Sequence, residues 1–158
     1  MAAATKGGPV AGNGRATGKR QQRHDAIRAI IRVEAVRTQR DLAARLQEEG
    51  FDCTQATVSR DIMELGLRKS PDGRYLLPEA DRLERLVAEL AVDVKVGGTI
   101  VVVKTLPGGA QGVCAALDDA QLPGALGTVA GDDTIMIAAM DADAADQVAR
   151  TIDGLRRR

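Results

Sequence analysis

The sequence predicts an α+β chain of two small domains, and three observations predict it. Three stretches with apolar residues at helical spacing lead into a Ser-Pro-Asp-Gly turn between two short extended runs. Beyond that turn, β-branched runs and helical stretches follow in the order ββαββα, the pattern of a small antiparallel sheet with helices on one face. The charge divides along the same line. Residues 1–78 hold 14 Lys and Arg against 9 Asp and Glu, whereas residues 79–158 hold 8 against 13, so a formal net charge of zero conceals +5 and −5.

Residues 1–19 are Ala, Gly, Lys and Thr with almost nothing to bury, and are expected to form a disordered basic tail. Lys6, Arg15, Lys19, Arg20 and Arg23 make the stretch up to His24 basic without one acid, either as a solvated extension or as an arm touching phosphates. The first domain is expected over residues 20–78. From residue 21, Ile27, Ile30 and Ile31 form an apolar stripe ending near Val33. Thr38, with Asp41 three residues on, opens a second helix that buries Leu42, Ala43 and Leu46 and stops at Gly50. Thr54 caps a third helix, with Val58, Ile62 and Leu65 facing inward and Gly66 at its end. Residues 67–69 and 74–77 then flank Ser70-Pro71-Asp72-Gly73, where Pro71 presets φ and Gly73 accepts a positive one.

Residues 79–91 are expected to form a linker helix carrying Leu83, Leu86, Val87 and Leu90 on one face. The second domain is expected over 92–158. Runs 92–96 and 99–105 join at Gly97-Gly98, a helix covers about 109–120, runs 125–130 and 134–140 surround Gly131-Asp132-Asp133, and a last helix covers about 142–155.

The scarce residues exclude whole classes of function. One His and two Cys leave no structural zinc site of four Cys/His ligands within a single chain, and any Ser-His or Cys-His mechanism would rest on His24, set between Arg23 and Asp25. Single-strand binders stack bases on aromatic rings, yet Phe51 and Tyr75 are the only aromatics and the second half has none. The longest apolar run, 135–140, is too short to span a bilayer, no apolar leader is apparent, and the two cysteines are far apart. A soluble cytoplasmic protein that is not an enzyme is the expectation.

Helices two and three, joined through Gly50, suit a helix-turn-helix, with the hairpin as its wing. With Val58, Ile62 and Leu65 inward, the outer arc of helix three carries Ala56, Ser59, Arg60 and Met63, with Gln55 and Thr57 at its start. Such a face fits the major groove: Arg reaches guanine bidentately, Gln pairs adenine, and hydroxyls serve phosphate or base. Arg68, Lys69 and Arg74 would lie along the adjacent backbone. Asp61 and Glu64 count against a uniformly basic face, and residues 25–78 hold 9 bases and 9 acids, so placement carries the case for double-stranded DNA. The competing reading is a three-helix domain for protein contacts.

In the acidic half, Gly131-Asp132-Asp133-Thr134 sets two carboxylates side by side at a bend, where bound positive charge would relieve their repulsion. Hard metals want about six oxygen ligands, and few are near beyond Asp118 and Asp119. A guanidinium or ammonium needs only a carboxylate fork, so an organic cation fits better. A plain Asp-Asp turn is the alternative. The glycines of Leu106-Pro107-Gly108-Gly109-Ala110-Gln111 follow no nucleotide-binding spacing and read as tight strand-to-helix packing.

Thr54-Gln55-Ala56-Thr57-Val58-Ser59-Arg60-Asp61, Pro107-Gly108-Gly109-Ala110-Gln111 and Gly127-Thr128-Val129-Ala130-Gly131-Asp132-Asp133-Thr134, in this order and spacing, resemble the bacterial arginine repressor family over about residues 21–155. The resemblance implies a winged helix-turn-helix joined to an oligomerising domain, with two trimers forming a homohexamer. It implies no cofactor beyond L-arginine, a corepressor bound where trimers meet. The family's arginine-holding Gln, helix Asp and Asp pair fall on Gln111, Asp118, Asp132 and Asp133. Its recognition-helix Ser-Arg pair falls on Ser59 and Arg60, and Lys69 lies near the wing's usual basic position. Gly109 stands where many relatives carry Ala. The implied function is arginine-dependent repression of arginine biosynthesis genes through operator DNA. The alternatives are a similar regulator answering to another amino acid, and a metal-dependent enzyme using Asp132 and Asp133.

Overall fold

The computed structural model describes residues 13–157, which divide between Leu77 and Pro78 into two compact units. The first contains α1 (Asn13–Val33), α2 (Gln39–Glu48), α3 (Gln55–Glu64) and a two-stranded antiparallel hairpin of β1 (Arg68–Lys69) and β2 (Tyr75–Leu76). The caps are those the sequence supplies. Thr38 Oγ1 accepts from Asp41 N at 3.0 Å, and Thr54 Oγ1 from Thr57 N at 3.3 Å, each satisfying an amide that the first helical turn leaves unpaired. Ile27, Ile30, Ile31, Leu42, Leu46, Val58 and Ile62 form the core, closed by Tyr75, Leu76 and Leu77 of the hairpin side. Tyr75 N donates to Val36 O at 2.8 Å, tying β2 to the α1–α2 connection.

Two expectations differ here. The stretch 1–19 expected to be a disordered tail is helical from Asn13, while residues 1–12 lie outside the described residues. Extending an existing helix adds one hydrogen bond per residue fixed, so a core-anchored helix propagates at far lower cost than a new one nucleates. Asp61, taken from the sequence as a charge on the exposed side of α3, is only 2% exposed and faces α1. Helical spacing explains the difference: residue 61 lies beside 58 on the inner arc, where an acid must find partners.

The second unit contains α4 (Pro78–Leu90), β3 (Ala91–Gly97), β4 (Ile100–Thr105), α5 (Ala110–Ala120), β5 (Ala125–Ala130), β6 (Thr134–Ala139) and α6 (Ala142–Arg156). Its sheet is antiparallel in the order β3-β4-β6-β5, so β3 and β5 are edges. Alternation along β4 and β6 turns Val101, Val103, Ile135 and Ile137 toward the helices. There they meet Val113 and Leu117 of α5 and Val148 and Ile152 of α6. The helix expected to link the domains is α4, and Leu83 and Val87 place it in this core. Pro78 suits its first turn, where no amide is needed.

The opposite sheet face carries Ile100, Val102, Val129, Met136 and Ala138, and no element of this unit covers it: Val129 is 72% exposed and Met136 50%. Gly124 is where the chain passes close against the start of α6. Its φ is +83°, and a Cβ there would lie 2.7 Å from Ala144 Cβ.

Candidate functional site

In α3, Ala56, Arg60 and Met63 are exposed and Ser59 is half-buried on the side away from Val58 and Ile62, while Gln55 is exposed as the first residue of the helix. Thr57 sits at the flank, its hydroxyl 3.0 Å from Thr54 Oγ1 and its amide bound to the same oxygen, so it serves the cap. On the wing, Arg68 and Lys69 are exposed; the Lys69 ammonium donates to Arg37 O at 3.0 Å and lies 5.1 Å from the centre of the Tyr75 ring. The structure thus sets Ser59 and Arg60 on the outer face and Gln55 at the exposed N-terminal end of the helix, with Thr57 and Lys69 already holding partners of their own.

Behind that face lies a network that the sequence reading missed. Arg23 grips Asp61 with both ends of its fork, Nε to Oδ2 at 2.5 Å and Nη2 to Oδ1 at 2.8 Å. His24 Nε2 lies 2.8 Å from Oδ1 of the same carboxylate and 3.5 Å from Glu64 Oε2, which Arg20 also pairs at 2.9 Å. Burial pushes the Asp61 carboxyl up, but hydrogen bonds from Arg23 and His24 outweigh it and leave it below the usual carboxylate range. An ionised carboxylate only accepts, so His24 Nε2 carries the donated proton. Arg20 and Arg23 of the stretch considered as a phosphate-touching arm, together with His24, therefore hold α3. The signal was available as spacing: 20, 23 and 24 share one helix face, as do 61 and 64. Among the described residues, His24, Asp61 and Glu64 are also a grouping with metal-ligand spacing. Arginine side chains already neutralise both carboxylates, so an added cation would have to displace them.

In the second unit, a tight turn connects β5 and β6, with Gly131 N donating to Thr134 O at 2.8 Å. Two backbone bonds fix it: Ala110 N, at the start of α5, to Asp132 O at 3.3 Å, and Thr105 N, at the end of β4, to Asp133 O at 2.8 Å. Gln111 lies against the same turn, its Nε2 3.4 Å from Ala130 O. Gly109 packs here without room to spare, since a Cβ would stand 3.0 Å from Leu106 O.

The two aspartates differ. Asp133 Oδ2 receives the Lys104 ammonium at 2.9 Å and Oδ1 the Thr134 hydroxyl at 2.6 Å. The Lys104 bond first, and the Thr134 bond second, hold the Asp133 carboxyl below its ordinary range. Asp132 is exposed, and among the described residues no side chain pairs with its carboxylate. Asp118 lies two turns along α5 from Gln111, on the same face, about 10 Å away along the helix axis. The Thr128 hydroxyl donates to it at 2.6 Å and is in turn 2.9 Å from Cys114 Sγ. An open cleft of about 340 Å³ adjoins it, lined by Leu117, Leu122, Leu126 and Thr128 among others. Gln111, Asp132 and Asp133 thus cluster at one end of the α5–β5 groove and Asp118 stands at the other. Asp119, the neighbouring candidate, is paired with Arg82 at 2.9 Å.

Lys104 and Thr128 were not singled out from the sequence. The register opposes Lys104 to Thr134 and so brings it to Asp133, while the packing of α5 beside β5 brings Thr128 to Asp118; composition encodes neither.

Comparison with known proteins bears on both units. The family described as "Arginine repressor, DNA binding domain" matches residues 18–83, and "Arginine repressor, C-terminal domain" matches residues 87–154. A curated protein of Symbiobacterium thermophilum named Arginine repressor is 45% identical over 146 residues, covering 86% of this chain and 97% of that one. Proteins of the same name from Carboxydothermus hydrogenoformans and Thermus thermophilus are each 43% identical, over 143 and 149 residues, covering 84% and 87% of this chain and 95% and 91% of theirs.

Proposed function

This chain belongs to the arginine repressor family, and on that premise we propose how it works as an arginine-responsive, DNA-binding transcriptional repressor. It is a regulator and not an enzyme. The first unit binds operator DNA of arginine biosynthesis genes through α3 and the wing. Gln55, Ser59 and Arg60 approach base edges, while Thr57, Arg68 and Lys69 hold the adjacent backbone.

L-arginine is the corepressor, held by Gln111, Asp118, Asp132 and Asp133. The observation carrying this reading is the turn at the start of α5, where an unpaired Asp132 carboxylate stands beside Asp133, Gln111 and a bound cationic side chain, that of Lys104. A pair of carboxylates that already attracts one ammonium is chemically suited to a guanidinium, which offers five donors in a planar fork. The same four residues on adjoining copies would supply carboxylates to both ends of the ligand.

The chain acts as a homohexamer of two trimers in the cytoplasm. The uncovered sheet face with Ile100, Val102, Val129 and Met136 supports assembly, because an apolar face of that kind is stabilised by burial against other copies. Among the described residues, no helix is long and apolar enough to cross a membrane. Arginine that binds only the assembled form stabilises it by mass action, by about 2.7 kcal/mol at a hundredfold excess over Kd. Linked DNA-binding domains then engage several half-sites at high effective concentration.

The test is a thermal-shift panel on the full chain with L-arginine, L-citrulline, L-lysine and L-leucine. Arginine alone should raise the melting temperature strongly. Citrulline keeps the size of arginine but loses its charge, so an equal shift with citrulline would refute a carboxylate site, and a shift with leucine alone would favour a regulator of another amino acid.

A further inference from the structure

We propose that Met63 is a specificity-determining residue of the DNA interface, reading the C5-methyl group of a thymine in the major groove. The proposal rests on the DNA-binding reading of α3 and adds to it a base preference that none of the polar residues supplies.

Met63 is 78% exposed, in a helix whose inner face is closed by Val58, Asp61 and Ile62. At about 100° per residue, Ser59, Met63, Ala56 and Arg60 fall in that angular order within an arc of about 100°, opposite the buried side. Met63 is therefore near the middle of the face that bears Arg60 and Ser59, one turn further along the axis. It is not a leftover of the core. Nor does the helix end require it, since the C-cap at Leu65 is satisfied by the backbone.

The chemistry of the surrounding face selects the occupant. Arg60 beside it is exposed, Gln55 opens the same helix, and Arg68 and Lys69 stand on the wing, so the surface around Met63 is polar and cationic, not a continuous apolar patch suited to a protein partner. A duplex satisfies both halves of that description. Its phosphates meet the cations, and its major groove offers one apolar group, the thymine methyl. The thioether is long, unbranched and polarisable, so it can follow the groove floor and exclude water from the methyl. Ala56, the other small apolar group on this arc, leaves room for such an approach.

The experiment uses the full chain with L-arginine and a duplex enriched from a random pool by the full chain itself. Each thymine is replaced in turn by uracil, which removes only the methyl group, and affinity is read by fluorescence anisotropy. At one thymine per half-site, uracil should weaken binding about fourfold, the equivalent of about 0.8 kcal/mol per buried methyl. Met63→Ala and Met63→Gln should bind the thymine duplex about fourfold more weakly and lose the distinction between thymine and uracil at that position. Met63→Leu should keep it. Uracil penalties that are the same in wild type and in Met63→Ala would overturn the proposal. If Arg60→Ala still abolishes binding in that case, the DNA reading stands and Met63 alone is wrong. If no duplex is enriched at all, both fall.

Discussion

Removing the Asp61 carboxylate should unfold the first unit selectively. Asp61 is 2% exposed, and its two oxygens satisfy the Arg23 fork and His24 Nε2, whose side chains are 17% and 10% exposed. Asp61→Ala leaves a guanidinium and an imidazole facing a gap between α1 and α3. Deleting one partner of a buried ion pair costs about 3–5 kcal/mol, and the partial access of water to Arg23 argues for the lower end. For a domain of 60–100 residues, about 3 kcal/mol corresponds to a fall in Tm of about 12–24 °C. The composition provides a local probe: the chain has one Tyr and no Trp, and Tyr75 lies in the first unit with 8% exposure. Tyrosine fluorescence therefore follows that unit alone, while far-UV circular dichroism follows both. The wild-type carboxyl is held below the usual range, so its contribution is complete above the unfolded value of about 3.9 and is lost as pH falls through the lowered folded value. The gap between wild type and variant should close below about pH 4. A double variant, Arg23→Met with Asp61→Ala, should recover part of the loss, because no charge is then left unpaired. A fluorescence transition unmoved by Asp61→Ala, or moved equally at pH 3 and pH 7, would refute the role assigned to the network.

The other expectations concern the second unit. Lys104→Gln removes the main cause of the lowered Asp133 carboxyl, so in a nuclear magnetic resonance titration the Asp133 transition should move upward in pH, whereas an unchanged transition would mean that Thr134 suffices. Thr128→Val deletes the hydroxyl that orients Asp118, and L-arginine affinity by calorimetry should fall about fivefold, near 1 kcal/mol for one hydrogen bond to a charged group in a solvated site, with the fold intact. Gly124→Ala combines a left-handed backbone with a collision at Ala144 and should destabilise the second unit by about 2 kcal/mol or more, read by circular dichroism with the tyrosine signal unchanged.

The fold was legible wherever a local rule sets it. Thr38 and Thr54 cap their helices, Gly98 with Thr99 turns the first hairpin of the sheet one residue beyond the joint expected at Gly97-Gly98, and alternation in β4 identifies its inner face before any pairing is known. What escaped depends on contacts distant in sequence. Asp61 reads as a surface charge until Arg23 and His24, nearly forty residues earlier, fold against it. The linker helix belongs to the second core because Leu83 and Val87 pack with α5 and α6, which the sequence places more than twenty residues later. The same limit governs the candidate site. Asp132, Asp133 and Gln111 announce themselves as motifs, but Lys104 reaches Asp133 only through strand register, and Thr128 reaches Asp118 only when α5 packs beside β5. Nothing local marks Lys104, and Thr128, though it lies in a recognised motif, carries no sign of its partner.

The most direct test is the affinity of the full chain for its enriched operator duplex, measured with and without L-arginine in wild type and in Asp132→Asn. Asp132 has no side-chain partner among the described residues, so replacing it removes a charge and disturbs no bond that holds the fold. Arginine should tighten binding by the wild type by at least tenfold and should leave Asp132→Asn near its arginine-free affinity, with both proteins equally stable. Equal tightening of both by arginine, or none in the wild type, would contradict the account.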